Sequence, residues 1–170
     1  MSSAPSTTSE PDLQLSHLDE HGQVRMVDVS GKALSSRSAT AICTIRLSAA
    51  AFDLLDAKKN AKGEVLNTAR VAGVLAAKRC AELIPMCHSL PLDFIGIEFS
   101  SDTEQKVIHI TATCKTRYTT GVEMEAMTAC NIAALTIYDM CKAADKGIVI
   151  EQSRLLEKTG GKSGTWRATL

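Results

Sequence analysis

Aromatic side chains are scarce in this chain: Phe52, Phe94, Phe99, Tyr118, Tyr138 and Trp166 are all it has. That is too few for the stacking platform on which single-stranded nucleic acid is held. A net charge of one sign is missing as well, since 19 lysines and arginines balance 19 aspartates and glutamates. No whole-molecule field draws in nucleic acid or an anionic membrane, so any anion must be bound by a local cluster. No apolar run approaches the length of a helical membrane span. The six cysteines, at 43, 80, 87, 114, 130 and 141, include no C-x-x-C pair. Most sit inside apolar runs and read as small core residues of a reduced, cytoplasmic protein. Met1 to Pro11 has neither the basic flank nor the apolar centre of a secretory signal, so a Ser/Thr/Pro-rich tail is expected there.

What is present suffices for one core. A length of 170 residues at 45% hydrophobic content suits one domain better than two, which makes residues 1–13 a disordered tail and 14–170 a single domain. Arg25 to Val29 is a short extended candidate, and Ser38 to Leu47 alternates as a strand does. Ser48 caps a helix expected through Ala57. Beyond Gly63, residues Leu66, Ala69, Gly73, Ala76, Cys80 and Leu83 recur at steps of three and four. This small-residue stripe predicts a helix with a close neighbour, ended by Pro85. Asp93–Ser100 and Lys106–Lys115 predict an antiparallel hairpin about a turn at residues 101–105. Its Ile95, Ile97, Phe99, Ile108 and Ile110 face one way, and Phe94, Val107 and His109 the other. A long helix over Glu123–Ala144 and a strand from Ile148 to about Leu156 complete the order. Strand, helix pair, two strands, helix, strand is a split β-α-β order. It predicts an α+β fold of the ferredoxin-like sandwich type, an antiparallel four-stranded sheet with helices packed on one face. The second face needs cover, which a partner subunit would supply.

Asp139 and Lys142 lie three apart and hence on one helical face. With Leu135, Ile137, Tyr138, Met140 and Cys141 around them, the pair is expected in a cleft, where burial lowers a lysine pKa and suits the two groups to proton transfer. The plainer alternative is an exposed pair worth about a few tenths of a kcal/mol. Glu123 and Glu125 sit where a helix dipole favours negative charge, which is the plain reading. In a non-helical approach they would point the same way and accept from the N–H edge of a guanine-like or pterin-like ring. His88 occupies a rigid turn between Pro85 and Pro91. Cys87-His88 and the His17/His21 pair lack the further ligands of a zinc site, so no metal is assigned. Gly161-Lys162-Ser163 imitates the end of a P-loop, but Leu156 stands where the first glycine belongs. That segment is either a flexible tail or, with Lys158, an anion clamp of backbone N–H groups and lysine charge. Arg37, Lys62, Arg70, Lys78 and Arg79 are further cations for an oligophosphate pocket, and on spacing alone are solvated charges.

Several of these runs together resemble one family. They include Met26-Val27-Asp28-Val29-Ser30, Thr68 to Gly73, Glu82-Leu83-Ile84-Pro85, Thr120 to Ala126, Ala133 to Lys142 and Leu155 to Gly164. The most specific read G-V-E-M-E-A and L-T-I-Y-D-M-C-K. The family is the cyclic pyranopterin monophosphate synthases, molybdenum cofactor biosynthesis protein C, and the resemblance spans about Leu15 to Trp166. It implies a homohexamer of three dimers with active sites at subunit interfaces. It also implies conversion of (8S)-3′,8-cyclo-7,8-dihydroguanosine 5′-triphosphate to cyclic pyranopterin monophosphate and diphosphate, between an upstream radical enzyme and a downstream molybdopterin synthase.

Carried over by position, the catalytic aspartate falls on Asp139 with Lys142 as its partner, and substrate contacts fall on Met86-Cys87-His88 and on Met124-Glu125. Lys62, Lys78, Glu123 and Lys158 match positions associated with the site. Two departures stand out: Ser89 where the family commonly has proline after the histidine, and Tyr118-Thr119-Thr120-Gly121 where it often has G-R-T-G. The expected roles are proton transfer by Lys142 with Lys62 as a second carrier, ring recognition by Glu123 and Glu125, and phosphate binding by His88, Arg37, Lys78, Lys158 and Lys162. No redox cofactor is required, because the chemistry has no net redox change; magnesium could arrive with the phosphates. Two rival readings remain, a nucleotide-binding regulatory module without turnover and a structural subunit whose charged helix ends pair across an interface.

Overall fold

The structure is a computed structural model and describes residues 16–55 and 64–169. The expected tail, Lys62 and the expected end of the helix at Ala57 lie outside these residues. In chain order the elements are β1 (Ser35–Arg46), α1 (Ala49–Asp53), α2 (Val65–Lys78), α3 (Cys80–Leu83), β2 (Phe94–Asp102), β3 (Val107–Tyr118), α4 (Glu123–Cys141), β4 (Val149–Thr159) and β5 (Trp166–Arg167). The fold is α+β, with one antiparallel sheet in the order β2-β3-β1-β4-β5. The sheet therefore has five strands, not the expected four. The fifth is a two-residue strand that pairs Lys158 with Trp166 and Glu157 with Arg167, too short to leave a period-two pattern in the sequence. Arg25 to Val29 forms no strand; the pairing nearest to it is a single bridge between Leu18 and Val24.

Register explains the core. β1 opposes Ala39, Ala41, Cys43 and Ile45 to Cys114, Ala112, Ile110 and Ile108 of β3, and all eight are buried. Ile97 of β2 joins them, with Ile95 and Phe99 packed at the edge. On the other side of the sheet Phe94 and His109 are exposed, whereas Val107 is buried.

Ser48 caps α1 as expected, its side chain accepting from the Ala51 N–H. α2 opens at Glu64, whose carboxylate accepts from the Asn67 N–H, and it ends at Lys78; α3 follows as a separate turn after Arg79. The expected continuous helix to Pro85 is thus broken six residues early by the non-helical Arg79 (φ −107, ψ 13).

The small residues of α2 do what their spacing predicts. Gly73 lies so close to α4 that an added Cβ would stand 2.7 Å from the Ala129 carbonyl oxygen and would collide with Ile97. Ala126, Ala129, Ala133, Ala134 and Ile137 give α4 a buried stripe of helical period, and the two helices pack side by side over the sheet.

Three strand ends and the entrance to a helix converge at one end of this layer. β1 begins, and β3 and β4 end, at the same edge: Ser35 opposes Tyr118, and Ala39 opposes Lys158. The chain leaving β3 turns through residues 119–122 and enters α4 there, so the first turn of α4 faces the opening of β1. The last turn of α4 lies 16 residues further on, about 24 Å away at 1.5 Å per residue.

Candidate active site

At this convergence lies a cavity of about 440 Å³. Arg37 enters it from β1, Lys158 from β4, Met86, Cys87 and His88 from the turn after α3, and Glu123, Met124 and Glu125 from the first turn of α4. Eight of the expected site residues, scattered over 122 positions of sequence, are therefore brought together. A second cavity of about 550 Å³ adjoins it, lined by Lys162 and Ser163 of the C-terminal segment with Lys32, Ser35 and Arg37. The segment after β4 is an ordered wall here, with Gly160 and Gly161 in the left-handed region (φ +94 and +73). A Cβ at Gly161 would run into the Arg37 guanidinium, so glycine is what allows the backbone to close over that side chain.

The geometry of the charged groups is specific. Arg37 Nε donates to the Tyr118 carbonyl at 3.1 Å and Nη2 to the Thr119 carbonyl at 3.1 Å. The fork is thereby anchored by the end of β3, and its remaining N–H donors are left for a ligand. Lys158 Nζ donates to Glu123 Oε1 at 2.8 Å, with both side chains about a third exposed. His88 Nε2–H donates to the Val27 carbonyl at 2.8 Å. Any phosphate contact of His88 then runs through Nδ1, which donates only in the imidazolium form.

Glu125 differs from its neighbour. It is only 4% exposed. Burial, with the Glu123 charge adding to it, pushes its carboxyl up to about 7. Burial, together with the Glu125 charge, also raises the Cys87 thiol, which makes Cys87 a wall of the cavity and not a nucleophile. Both glutamates belong to the helical first turn of α4, so the non-helical approach envisaged from the sequence does not occur. They line the same cavity nonetheless.

Other expected residues lie elsewhere. Asp139 and Lys142 do form a pair, at 2.6 Å, but they sit at the far end of α4 with side chains 62% and 49% exposed. Among the described residues no cleft forms around them, because the apolar neighbours Ile137, Met140 and Cys141 turn to the core. The Lys142 ammonium is accordingly raised by its hydrogen bond to Asp139, not lowered by burial. Lys78 lies exposed near the end of α2 and lines neither cavity. Several liners escape sequence reasoning, among them Lys32 and His17. Lys32 lines both cavities, and its signal is the Gly31-Lys32 step that repeats the Gly161-Lys162 pattern. His17 lines the first cavity; its spacing from His21 points only towards a metal, not towards this position.

Fold and site define a class: a small α+β domain holding, at one end of an antiparallel sheet, a cavity that sets carboxylates against a row of cations. The chain belongs to the MoaC family, whose sequence profile matches residues 26–161. It is 71% identical over 153 residues to the cyclic pyranopterin monophosphate synthase of Bordetella avium (strain 197N), an alignment covering 90% of this chain and 94% of that one. Identity to the protein of that name from Bordetella pertussis (strain Tohama I) is 68% over 153 residues, 90% of this chain and 95% of the relative. To that from Bordetella petrii it is 65% over 159 residues, 94% and 98%.

Proposed function

We propose that this chain is a cyclic pyranopterin monophosphate synthase, a lyase of molybdenum cofactor biosynthesis acting in the cytoplasm. Its substrate would be the cyclised guanosine triphosphate, (8S)-3′,8-cyclo-7,8-dihydroguanosine 5′-triphosphate, and its products cyclic pyranopterin monophosphate and diphosphate. The observation that carries this reading is the cavity itself, which joins Glu123 and Glu125 to Arg37, His88 and Lys158. A guanine-derived ring needs hydrogen-bond partners on its polar edge, and a triphosphate needs fixed cations. Glu123, held by Lys158, accepts from ring N–H groups. Glu125, buried and poised near neutrality, offers either an acceptor or an O–H donor to the same edge. Arg37, His88, Lys158 and Lys162 hold the phosphates, with Lys78 reaching a neighbouring subunit's site.

The proton transfers of ring opening and pyran closure fall to Lys142 held by Asp139, with Lys62 as a second carrier. Within one chain this pair is about 24 Å from Glu123 along α4, so each active site takes the cavity of one subunit and the Asp139/Lys142 pair of another. The half-exposed state of the pair supports that division. So do the exposed apolar side chains Val71 and Leu75 on α2, Leu135 on α4, and Val149, Ile150 and Trp166 on β4 and β5, which an assembly would cover. The homohexamer, a trimer of dimers, is the assembly proposed. Residues 14–170 form its single catalytic domain, and the order β2-β3-β1-β4, with a helical connection inside each split crossover, is read as ferredoxin-like with β5 added at the edge.

The test is incubation with the cyclised guanosine triphosphate, followed by assays for released diphosphate and for a fluorescent pterin after oxidation. Formation of both is expected. Binding without turnover would instead favour the regulatory module.

A further inference from the structure

With side chains 62% and 49% exposed, Asp139 and Lys142 are not fixed by packing. A lysine chain has many rotamers to lose before its ammonium points in one direction. The residue beside the pair supplies a constraint. Tyr138 stands one helical turn before Lys142, on the same face of α4, and helical side chains lean towards the N-terminus, which carries Lys142 back over the turn that bears Tyr138 and Asp139. The phenol is close enough to the Lys142 ammonium for their charges to interact when both are ionised. Its ring packs against the core, and its Oη–H donates to the Lys146 carbonyl at 3.2 Å. Lys146 lies where the chain reverses from α4 into β4, between the buried Cys141 and Ile148. The Ala144 N–H on the Cys141 carbonyl, at 2.9 Å, and the Gly147 N–H on Asp145 Oδ1, at 2.7 Å, hold shorter stretches of this reversal. The Tyr138 bond spans eight positions and ties the helix to the far side of the turn that Lys142 begins.

We propose that Tyr138 is a positioning residue for proton transfer: its ring, seated against the core, and its hydroxyl, bonded across the turn to the Lys146 carbonyl, keep the Lys142 ammonium aimed in one direction while Asp139 holds it. The proposal rests on the role given above to Asp139 and Lys142 and adds the group that orients them. Tyr138 passes no proton to substrate, since its O–H is engaged by the Lys146 carbonyl. Its contribution is preorganisation, which a mobile lysine needs from a rigid neighbour. With the hydroxyl removed, the Lys146 carbonyl loses this donor and the turn after α4 loosens. Lys142 then samples directions from which its proton cannot reach the ring. Asp139 still accepts from the ammonium in those directions, so the pair survives while its aim is lost.

Tyr138→Phe in the full-length assembly tests this, because it keeps the packed ring and removes only the O–H. With the cyclised guanosine triphosphate as substrate, kcat is expected to fall about tenfold or more while KM stays within about twofold. Size-exclusion chromatography should show the assembly unchanged, and amide hydrogen exchange across residues 142–147 should quicken. A second measurement separates positioning from support of the fold at large. In single turnover with enzyme in excess, adding Tyr138→Phe to Lys142→Ala should cost less than about twofold beyond Lys142→Ala alone, since there is no ammonium left to aim. A wild-type kcat in Tyr138→Phe would overturn the proposal. So would a loss of the same size with and without Lys142, which would show that the phenol acts through something else. Near-normal turnover in Lys142→Ala would bring down the reading of the pair itself. A nearly inactive Lys142→Ala beside a fully active Tyr138→Phe would leave that reading standing and remove only the role of Tyr138.

Discussion

Glu125 is the only Asp, Glu, Lys or Arg side chain in the buried class among the described residues, and its titration has a thermodynamic consequence. Its folded carboxyl titrates at about 7 against an ordinary value of 4.5. Between those two pH values the folded protein holds a proton that the unfolded chain has lost. Stability therefore falls as pH rises through this window, and the full cost, on the order of 3 kcal/mol, is reached above it. Glu125→Gln should melt higher than wild type at pH 8, and the gap should close near pH 5, as measured by thermal unfolding at several pH values. A gap independent of pH would mean that the carboxyl is ionised in place. Lys158 makes the opposite kind of contribution. In Lys158→Ala, Glu123 loses its 2.8 Å partner, and the triphosphate substrate should lose about tenfold or more in affinity against a smaller loss for the product; equal losses would show that Lys158 serves the ring only. Asp139→Ala and Lys142→Ala should each reduce turnover by about two orders of magnitude or more with the assembly intact by size-exclusion chromatography. Dissociation in Asp139→Ala would favour the structural-subunit reading.

At the scale of elements, the contact between α2 and α4 depends on one missing side chain. Alanine at Gly73 would gain about 1 kcal/mol in helix propensity, but its Cβ would meet the Ala129 carbonyl, which belongs to a helix backbone and cannot swing aside. The clash wins. Gly73→Ala should cost about 1–2 kcal/mol in urea unfolding, and Gly73→Val more. This helix contact was legible in the sequence because small residues at steps of three and four leave a shallow helix face that only a close neighbour can fill. The two-faced strands and the long helix were legible too, each being long enough to show its period. Boundaries and short pieces were not. Arg79 breaks a helix without glycine or proline to announce it, and β5 is two residues long. Arg25–Val29 carries strand-forming residues yet joins no sheet; its Val27 carbonyl takes the His88 hydrogen bond instead. In the site, Glu123, Glu125 and His88 were found through motifs. Lys32 was missed because a single lysine after a glycine carries no period. The exposure of Asp139 and Lys142 could not be read from apolar neighbours, since a helix turns those neighbours to one side and the pair to the other.

At the scale of the whole molecule, the separation of the cavity from the Asp139/Lys142 pair predicts complementation between damaged subunits. A chain carrying His88→Ala keeps its Asp139/Lys142 pair, and one carrying Asp139→Ala keeps its cavity. Mixed by co-expression or by dissociation and reassembly, two nearly inactive variants should form some sites with both parts intact and recover a measurable fraction of wild-type turnover. Mixing Asp139→Ala chains with Lys142→Ala chains should recover nothing, because both lack the same part. Failure of the first mixture, with mixed assemblies demonstrated by mass spectrometry, would place both parts of each site in one subunit.

The span of α4 also restricts how this chain can change. Its buried stripe recurs with the helical period along the core, while in the assembly proposed its two ends serve different active sites. Deleting one residue in the middle would rotate everything beyond it by about 100°, turning the stripe out of the core or the Asp139/Lys142 pair into it. Deleting two full turns, about seven residues, would restore the facing but draw the ends together by about 10 Å. Insertions and deletions within Glu123–Cys141 should therefore abolish turnover even where the shortened protein still folds.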